Sequence, residues 1–198
     1  MSNYDLNFLA SLKLTPLISD YSKKDRFEST HPKLNEFYYK YALTNQQKKL
    51  SQTIVVLHGN NIVGYFSLLT DALPLSRSKA RKHFHFPFPI YPYYPAIKIG
   101  RLAVHKDYCK REIGTFMVMH VILIAISINN KVGCRFVTVD ALKESVGFYE
   151  KEGFIITKNK DIDPIRKEPE DTTFMYLDIN DIKTRPLSLA KMLIDHMK

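Results

Sequence analysis

The sequence predicts an α/β chain of the α+β kind, with one mixed sheet and helices packed on its faces. Strand-like and helix-periodic runs follow one another in the order strand, helix, three strands, helix, strand, helix, two strands. Two of those strands are separated only by Gly59-Asn60-Asn61, which is turn chemistry and makes them a hairpin. A nearly uninterrupted apolar run, Ile113 to Ile128, lies between two further strands and reads as a buried crossover helix, so parallel neighbours should flank it.

Residues Leu12 to Ser19 suit a first strand, which Pro16 restricts to an edge or a strand end. From Lys33 to Leu50 the positions Leu34, Phe37, Tyr38, Tyr41 and Ala42 recur at helical spacing after His31-Pro32, giving one helix or two. Thr53 to His58 and Ile62 to Thr70 form the hairpin, and Ala96 to Val104 is the next strand. A helix from about Arg111 to Asn129 follows, then a strand Arg135 to Asp140 and a short helix Lys143 to Glu152. Phe154 to Lys158 and Phe174 to Ile179 complete the strands. Pro186 to Lys198 places Leu189, Leu193 and Met197 at helical spacing, an amphipathic tail that docks on the domain or on a partner. One domain is expected over residues 1–180, with an insertion at about 72–95, and a helical tail over 181–198.

Composition narrows the function classes. A chain of 198 residues with 45% hydrophobic and 25% charged side chains is neither disordered nor stapled by disulfides, since it holds only Cys109 and Cys134. The apolar run is shorter than the roughly 20 residues that span a bilayer, so no membrane partner is expected. The start MSNYDLNFLA lacks a secretory pattern, and the cytoplasm is the expected location. No histidine has partners at metal-ligand spacing, and no Gly-x-Ser-x-Gly elbow supports a hydrolase triad. The net charge of +9 favours an anionic partner, whether coenzyme A, a nucleic acid or an acidic protein.

The chemistry concentrates in residues 99–117, IGRLAVHKDYCKREIGTFM, a strand, a polar turn and a helix start. A helix N-terminus presents unpaired N–H groups and a positive dipole end, so a turn with Lys110, Arg111 and Gly114 suits a pyrophosphate. An ordinary basic helix start is the plain alternative. Residues 140–154, DALKESVGFYEKEGF, place Tyr149 near the end of the next helix.

These two segments, in this order, resemble motifs A and B of the GNAT (GCN-related) N-acetyltransferase superfamily, and a weaker likeness extends from about residue 12 to 179. The resemblance implies a mostly antiparallel central sheet of about seven strands with helices on both faces, and acetyl-coenzyme A as acyl donor. It implies direct transfer of the acetyl group to an unidentified primary amine. By the same resemblance, the backbone of Leu102, Ala103 and Val104 holds the pantetheine arm, while Lys110, Arg111, Glu112, Ile113, Gly114 and Thr115 hold the pyrophosphate. Tyr149 then protonates the departing thiolate, with an amphipathic tyrosine at a helix end as its structural alternative. The chain departs from the motif at Cys109, where Gln or Arg is usual, at Glu112, where Gly is usual, and at Leu142, where Asn is common. No carboxylate lies on the strand, so His105, Asp140, Glu144 or a water relay are the candidates for a base.

Two segments bear on the acceptor, which is a small molecule, a peptide or charged tRNA. No acidic residue occurs between Asp71 and Asp107, and the stretch KHFHFPFPIYPYYP interleaves aromatics and prolines behind Arg77, Lys79 and Arg81. Basic residues with aromatics hold single-stranded nucleic acid by phosphate contact and stacking. A loop packed on the domain, or at a homodimer contact, is the alternative. The second segment is the charged loop Lys158 to Asp171. The start Gly-Arg-Leu-Ala-Val also resembles the GNAT toxins that acetylate aminoacyl-tRNA, and a non-catalytic acyl-CoA-binding module of the same fold is the remaining alternative.

Overall fold

The computed structural model describes residues 4–24, 27–76, 93–157, 171–180 and 185–196. Most of the aromatic insertion and of the charged 158–171 loop, with Arg77, Arg81, Lys82, His83 and His85, lies outside the described residues.

The chain opens with a helix that the sequence pattern did not announce, α1 (Leu6–Ala10), capped by Asp5, whose carboxylate accepts the Phe8 N–H. Strand β1 (Lys13–Pro16) ends on its proline and lies at the sheet edge, as the missing N–H requires. Helix α2 (Ser19–Lys24) follows where the strand pattern had been read through to Ser19. The helix expected at 33–50 forms as α3 (Pro32–Glu36), a π-helical stretch Phe37–Ala42, and α4 (Leu43–Gln47).

The hairpin forms as β2 (Gln52–His58) and β3 (Asn61–Pro74), the latter running four residues past the expected end. Strand β4 (Tyr93–Val104) begins three residues early, so both flanks of the insertion are strand rather than irregular chain. A 3₁₀ turn, Lys106–Tyr108, leads to α5 (Ile113–Asn129). Then come β5 (Phe136–Leu142), a 3₁₀ turn Lys143–Ser145, α6 (Val146–Lys151), β6 (Ile155–Ile156), β7 (Thr172–Asp178) and α7 (Arg185–His196).

The seven strands are ordered β1-β2-β3-β4-β5-β7-β6. The pairs β1/β2, β2/β3, β5/β7 and β6/β7 are antiparallel. Between β4 and β5 the partners advance together, as in a parallel pair. Arg135 N–H donates to Pro95 O at 2.9 Å, Thr138 Oγ1 lies 3.4 Å from Ile97 O, and Lys98 pairs with Asp140. The sheet is therefore mixed and mostly antiparallel, with α5 joining parallel neighbours as its apolar run implied.

The chain divides into two compact units: Met1–Leu69 with Ile99–Val121 and Arg185–Lys198, and Thr70–Lys98 with Ile122–Thr184. The first unit has helices on both faces of its strands. Leu17, Phe27, Tyr38, Ala42, Val55 and Tyr65 form one buried cluster. On the opposite face, Gly64 admits α5 so closely that an added Cβ would lie 3.2 Å from Met117 Sδ and 3.3 Å from Ile113 Cγ2. The core of the second unit is Leu73, Leu75, Ala96, Phe136, Phe174 and Tyr176. No described helix is long and apolar enough to cross a membrane.

Candidate active site

Sequence puts Lys110 and Glu112 where the chain must turn from the 3₁₀ segment into α5, and both adopt left-handed backbone, with φ of +63° and +61°. Such a conformation costs a non-glycine residue roughly 1–2 kcal/mol, so the turn is held by its surroundings. Two bonds do so: Phe116 N–H donates to Glu112 O at 2.9 Å, opening the helical ladder, and Thr115 Oγ1 donates to the Glu112 carboxylate at 3.0 Å. Ile113, Gly114 and Thr115 form the first turn of α5, the place where a helix start turns its N–H groups and positive dipole end toward an anion. Ile113 and Thr115 are buried, whereas Lys110 and Arg111 are exposed at the turn.

Glu112 thus stands where the motif has glycine and keeps the backbone that a glycine would adopt freely. Its carboxylate points to Thr115 at the helix start, so an anion arriving there meets a negative group already in place. The donor set still fits a pyrophosphate: a helix start, two exposed cations and a backbone bent as the turn requires.

Arg111 is seated by a contact absent from the sequence reading. Its guanidinium carbon lies 3.5 Å from the centre of the Phe8 ring and 5.9 Å from that of Tyr108, and Nη2 is 3.8 Å from Asp5 Oδ2. The cap signal of Asp5 three residues before Phe8 was there to be read, but nothing local ties that short helix to residue 111.

Leu102, Ala103 and Val104 close β4, with Ala103 buried in the core cluster and the following His105 N–H bonded to Val63 O at 2.9 Å. Among the base candidates, His105 Nδ1 accepts the Asp107 N–H at 3.2 Å, capping the 3₁₀ turn, and its ring stands edge-on to Phe27 and Tyr108. Asp140 is half-buried against Lys98, and Glu144 is exposed. Cys109 is exposed with Sγ 3.7 Å from His105 O, and Cys134 is buried. Among the described residues no cluster of three or more His, Cys, Asp or Glu forms a metal site.

Tyr149 occupies α6 in the second unit, 6% exposed, edge-on to Phe148 at 5.0 Å and Phe154 at 5.2 Å. Burial pushes its phenol well above the usual tyrosine range, because the phenolate would be poorly solvated. The group stays protonated at neutral pH, which is the state a proton donor needs.

Residues 49–156, more than half of the chain, match the family model of the acetyltransferase (GNAT) domain. The chain belongs to the GNAT acetyltransferases. It is therefore an acyltransferase, in a family whose acetyl donor is acetyl-coenzyme A. The tRNA-acetylating toxin of Mycobacterium tuberculosis (strain ATCC 25618 / H37Rv) is 27% identical over 141 residues, spanning 71% of this chain and 82% of the relative. Similar solved structures include a mutant of the toxin KacT, with a TM-score of 0.69 at 18% identity over 92% of this chain and 99% of that one. AtaT complexed with acetyl-methionyl-tRNAfMet gives a TM-score of 0.63 at 23% identity, over 82% and 93% of the two chains. A mutant of AtaT with acetyl-CoA and the C-terminus of the antitoxin AtaR gives 0.66 at 19% identity, over 87% and 96%. At these identities the solved structures establish the shared GNAT fold.

Proposed function

We propose that this GNAT enzyme transfers acetyl from acetyl-CoA to the free amino group of aminoacyl-tRNA. The observation that carries the reading is the match to a tRNA-acetylating toxin across 82% of that protein's length. The excess of 29 Lys and Arg over 20 Asp and Glu supports it, since a polyanionic acceptor is drawn to such a surface.

Acetyl-CoA supplies an activated acyl group as its thioester. In the proposed mechanism the first-turn N–H groups of Ile113, Gly114 and Thr115 take the pyrophosphate, with Lys110 and Arg111 adding charge. The backbone of Leu102, Ala103 and Val104 aligns the pantetheine arm and polarises the carbonyl. The acceptor nitrogen bonds to the carbonyl carbon as the C–S bond breaks. Tyr149 gives its phenolic proton to the sulfur, and the proton shed by the new amide returns to the phenolate through water. The acetylated nitrogen is then an amide, no longer nucleophilic, so the modified aminoacyl-tRNA cannot accept a peptide.

The test is acetyl transfer from labelled acetyl-CoA to bulk charged tRNA, beside uncharged tRNA, polyamines, aminoglycosides and peptides. Label is expected on charged tRNA alone and lost with the aminoacyl ester on mild base. Transfer to polyamines or peptides with none to charged tRNA would overturn the acceptor assignment while leaving the acetyltransferase intact.

A further inference from the structure

The N-terminal helix and its cap meet the turn at Arg111. The Arg111 guanidinium carbon lies over the Phe8 ring, 3.5 Å from its centre, while Asp5 approaches the same guanidinium at 3.8 Å. Phe8 is itself fixed: it is 6% exposed, its N–H is held by Asp5 Oδ1 at 3.0 Å, and its ring packs on His58 at 5.0 Å and stacks on Tyr108 at 6.5 Å. Helix α1 in turn packs against α7, whose Leu189 and Leu193 are buried and whose His196 Nε2 meets Asn7 Oδ1 at 3.0 Å.

We propose that Phe8 and Asp5 are opposed positioning residues for acetyl-CoA affinity, Phe8 holding the Arg111 guanidinium ready for the cofactor phosphates and Asp5 competing for it. The inference rests on the reading that residues 110–115 seat the pyrophosphate. A free arginine loses rotamer freedom when it binds a phosphate, and stacking on a fixed ring takes that loss in advance. A guanidinium that meets a ring through its face leaves its N–H edge for phosphate oxygens, which prefer in-plane, charge-assisted bonds. Asp5 addresses that edge, so its charge opposes the ligand while its cap to Phe8 keeps the seat in place. One residue thus helps through its ring, and its neighbour both helps through its cap and hinders through its charge.

The substitutions separate these roles. Phe8→Leu keeps a buried apolar side chain without the aromatic face, Phe8→Tyr restores the face, and Asp5→Asn keeps an equally good cap without the charge. Acetyl-CoA is titrated calorimetrically into the full chain and into each variant, with Arg111→Ala alone and combined with Phe8→Leu. Phe8→Leu should weaken binding about two- to fivefold, the scale of an exposed cation–π contact. Phe8→Tyr should restore it, and Asp5→Asn should tighten it about twofold. In the Arg111→Ala background Phe8→Leu should have no further effect, and acetyl-pantetheine, which lacks the pyrophosphate, should be insensitive to all of them. If wild-type protein binds acetyl-CoA but Phe8→Leu costs the same with and without Arg111, the inference is overturned and Phe8 is packing alone. Weaker binding by Asp5→Asn would overturn its opposing role. If wild-type protein does not bind acetyl-CoA, the seat itself is wrong, and the inference goes with it.

Discussion

Glu112→Gly is the substitution whose consequences the structure fixes most closely. Residue 112 has φ +61°, so the change removes a left-handed strain on the order of 1 kcal/mol. Against that gain stand the added chain entropy of glycine, about 0.5–1 kcal/mol, and the lost bond from Thr115 Oγ1 at 3.0 Å. Fold stability should therefore change little. Affinity should change more. A carboxylate at the helix start opposes an incoming pyrophosphate by on the order of 1 kcal/mol under largely aqueous screening, so acetyl-CoA should bind about fivefold tighter. Glu112→Gln, which keeps the side chain and its reach to Thr115, should reproduce the affinity gain without touching the backbone strain. Calorimetric titration of acetyl-CoA at low and high salt measures both, and the gain should shrink in high salt, where the carboxylate is screened. Weaker binding by both variants would refute the reasoning and make Glu112 a contributor to the cofactor seat through its hold on Thr115.

Tyr149→Phe should lower kcat about 10²-fold with little change in acetyl-CoA affinity, read by single-turnover transfer, and an unchanged chemical step would remove the phenol from the mechanism. Because burial raises the Tyr149 pKa, the proton donor stays loaded through the ordinary tyrosine range, so the kcat profile should show no loss near pH 10 that Tyr149→Phe abolishes. Gly64→Ala should destabilise by about 1–3 kcal/mol in a denaturant titration, because the new Cβ meets Ala103 O at 3.1 Å and Met117 Sδ at 3.2 Å and one of these neighbours must give. His120 is half-buried in α5, and burial lowers its pKa from 6.5 despite the bond of Nδ1 to Phe116 O at 2.9 Å. The fold therefore favours neutral imidazole, a stability fully present above about pH 6.5 and lost as pH falls through the depressed value. His120→Gln should flatten the decline in Tm as the pH falls below about 6.5, and an equally steep decline would place the acid sensitivity elsewhere.

The hairpin and the crossover helix were legible because each is specified locally, by Gly59-Asn60 at the turn and by the apolar run of α5. Strand ends were less so. β3 continues to Pro74 and β4 begins at Tyr93 because their outer residues belong to the Leu73, Ala96 and Phe136 core, a tertiary reward no local pattern displays. Helices α1 and α2, of five and six residues, were missed for a related reason: one or two turns carry too little periodicity to register, and α1 is held by packing against α7 at the other end of the chain. The π-helical stretch at Phe37–Ala42 shifts the side-chain phase inside an otherwise regular helical pattern, which is why a periodicity reading hesitated between one helix and two.

The site divides along the same line. The turn and helix start at residues 110–115 were legible because strand, turn and helix are consecutive in sequence and specified locally. What touches that turn comes from far along the chain. Phe8 is over a hundred positions from Arg111, yet the two are in van der Waals contact. The chain also shows how a residue other than glycine can hold the turn that the motif requires. A left-handed φ is a property of the turn, and residue identity sets only its energetic cost. Here Glu112 keeps the conformation, with the helix ladder on one side and Thr115 on the other fixing it in place. The departure at Glu112 therefore leaves the left-handed shape of the turn intact and adds a negative charge to it. It is through charge, at Glu112 and at the Asp5–Arg111 contact, that the affinity of this enzyme for its donor should be set.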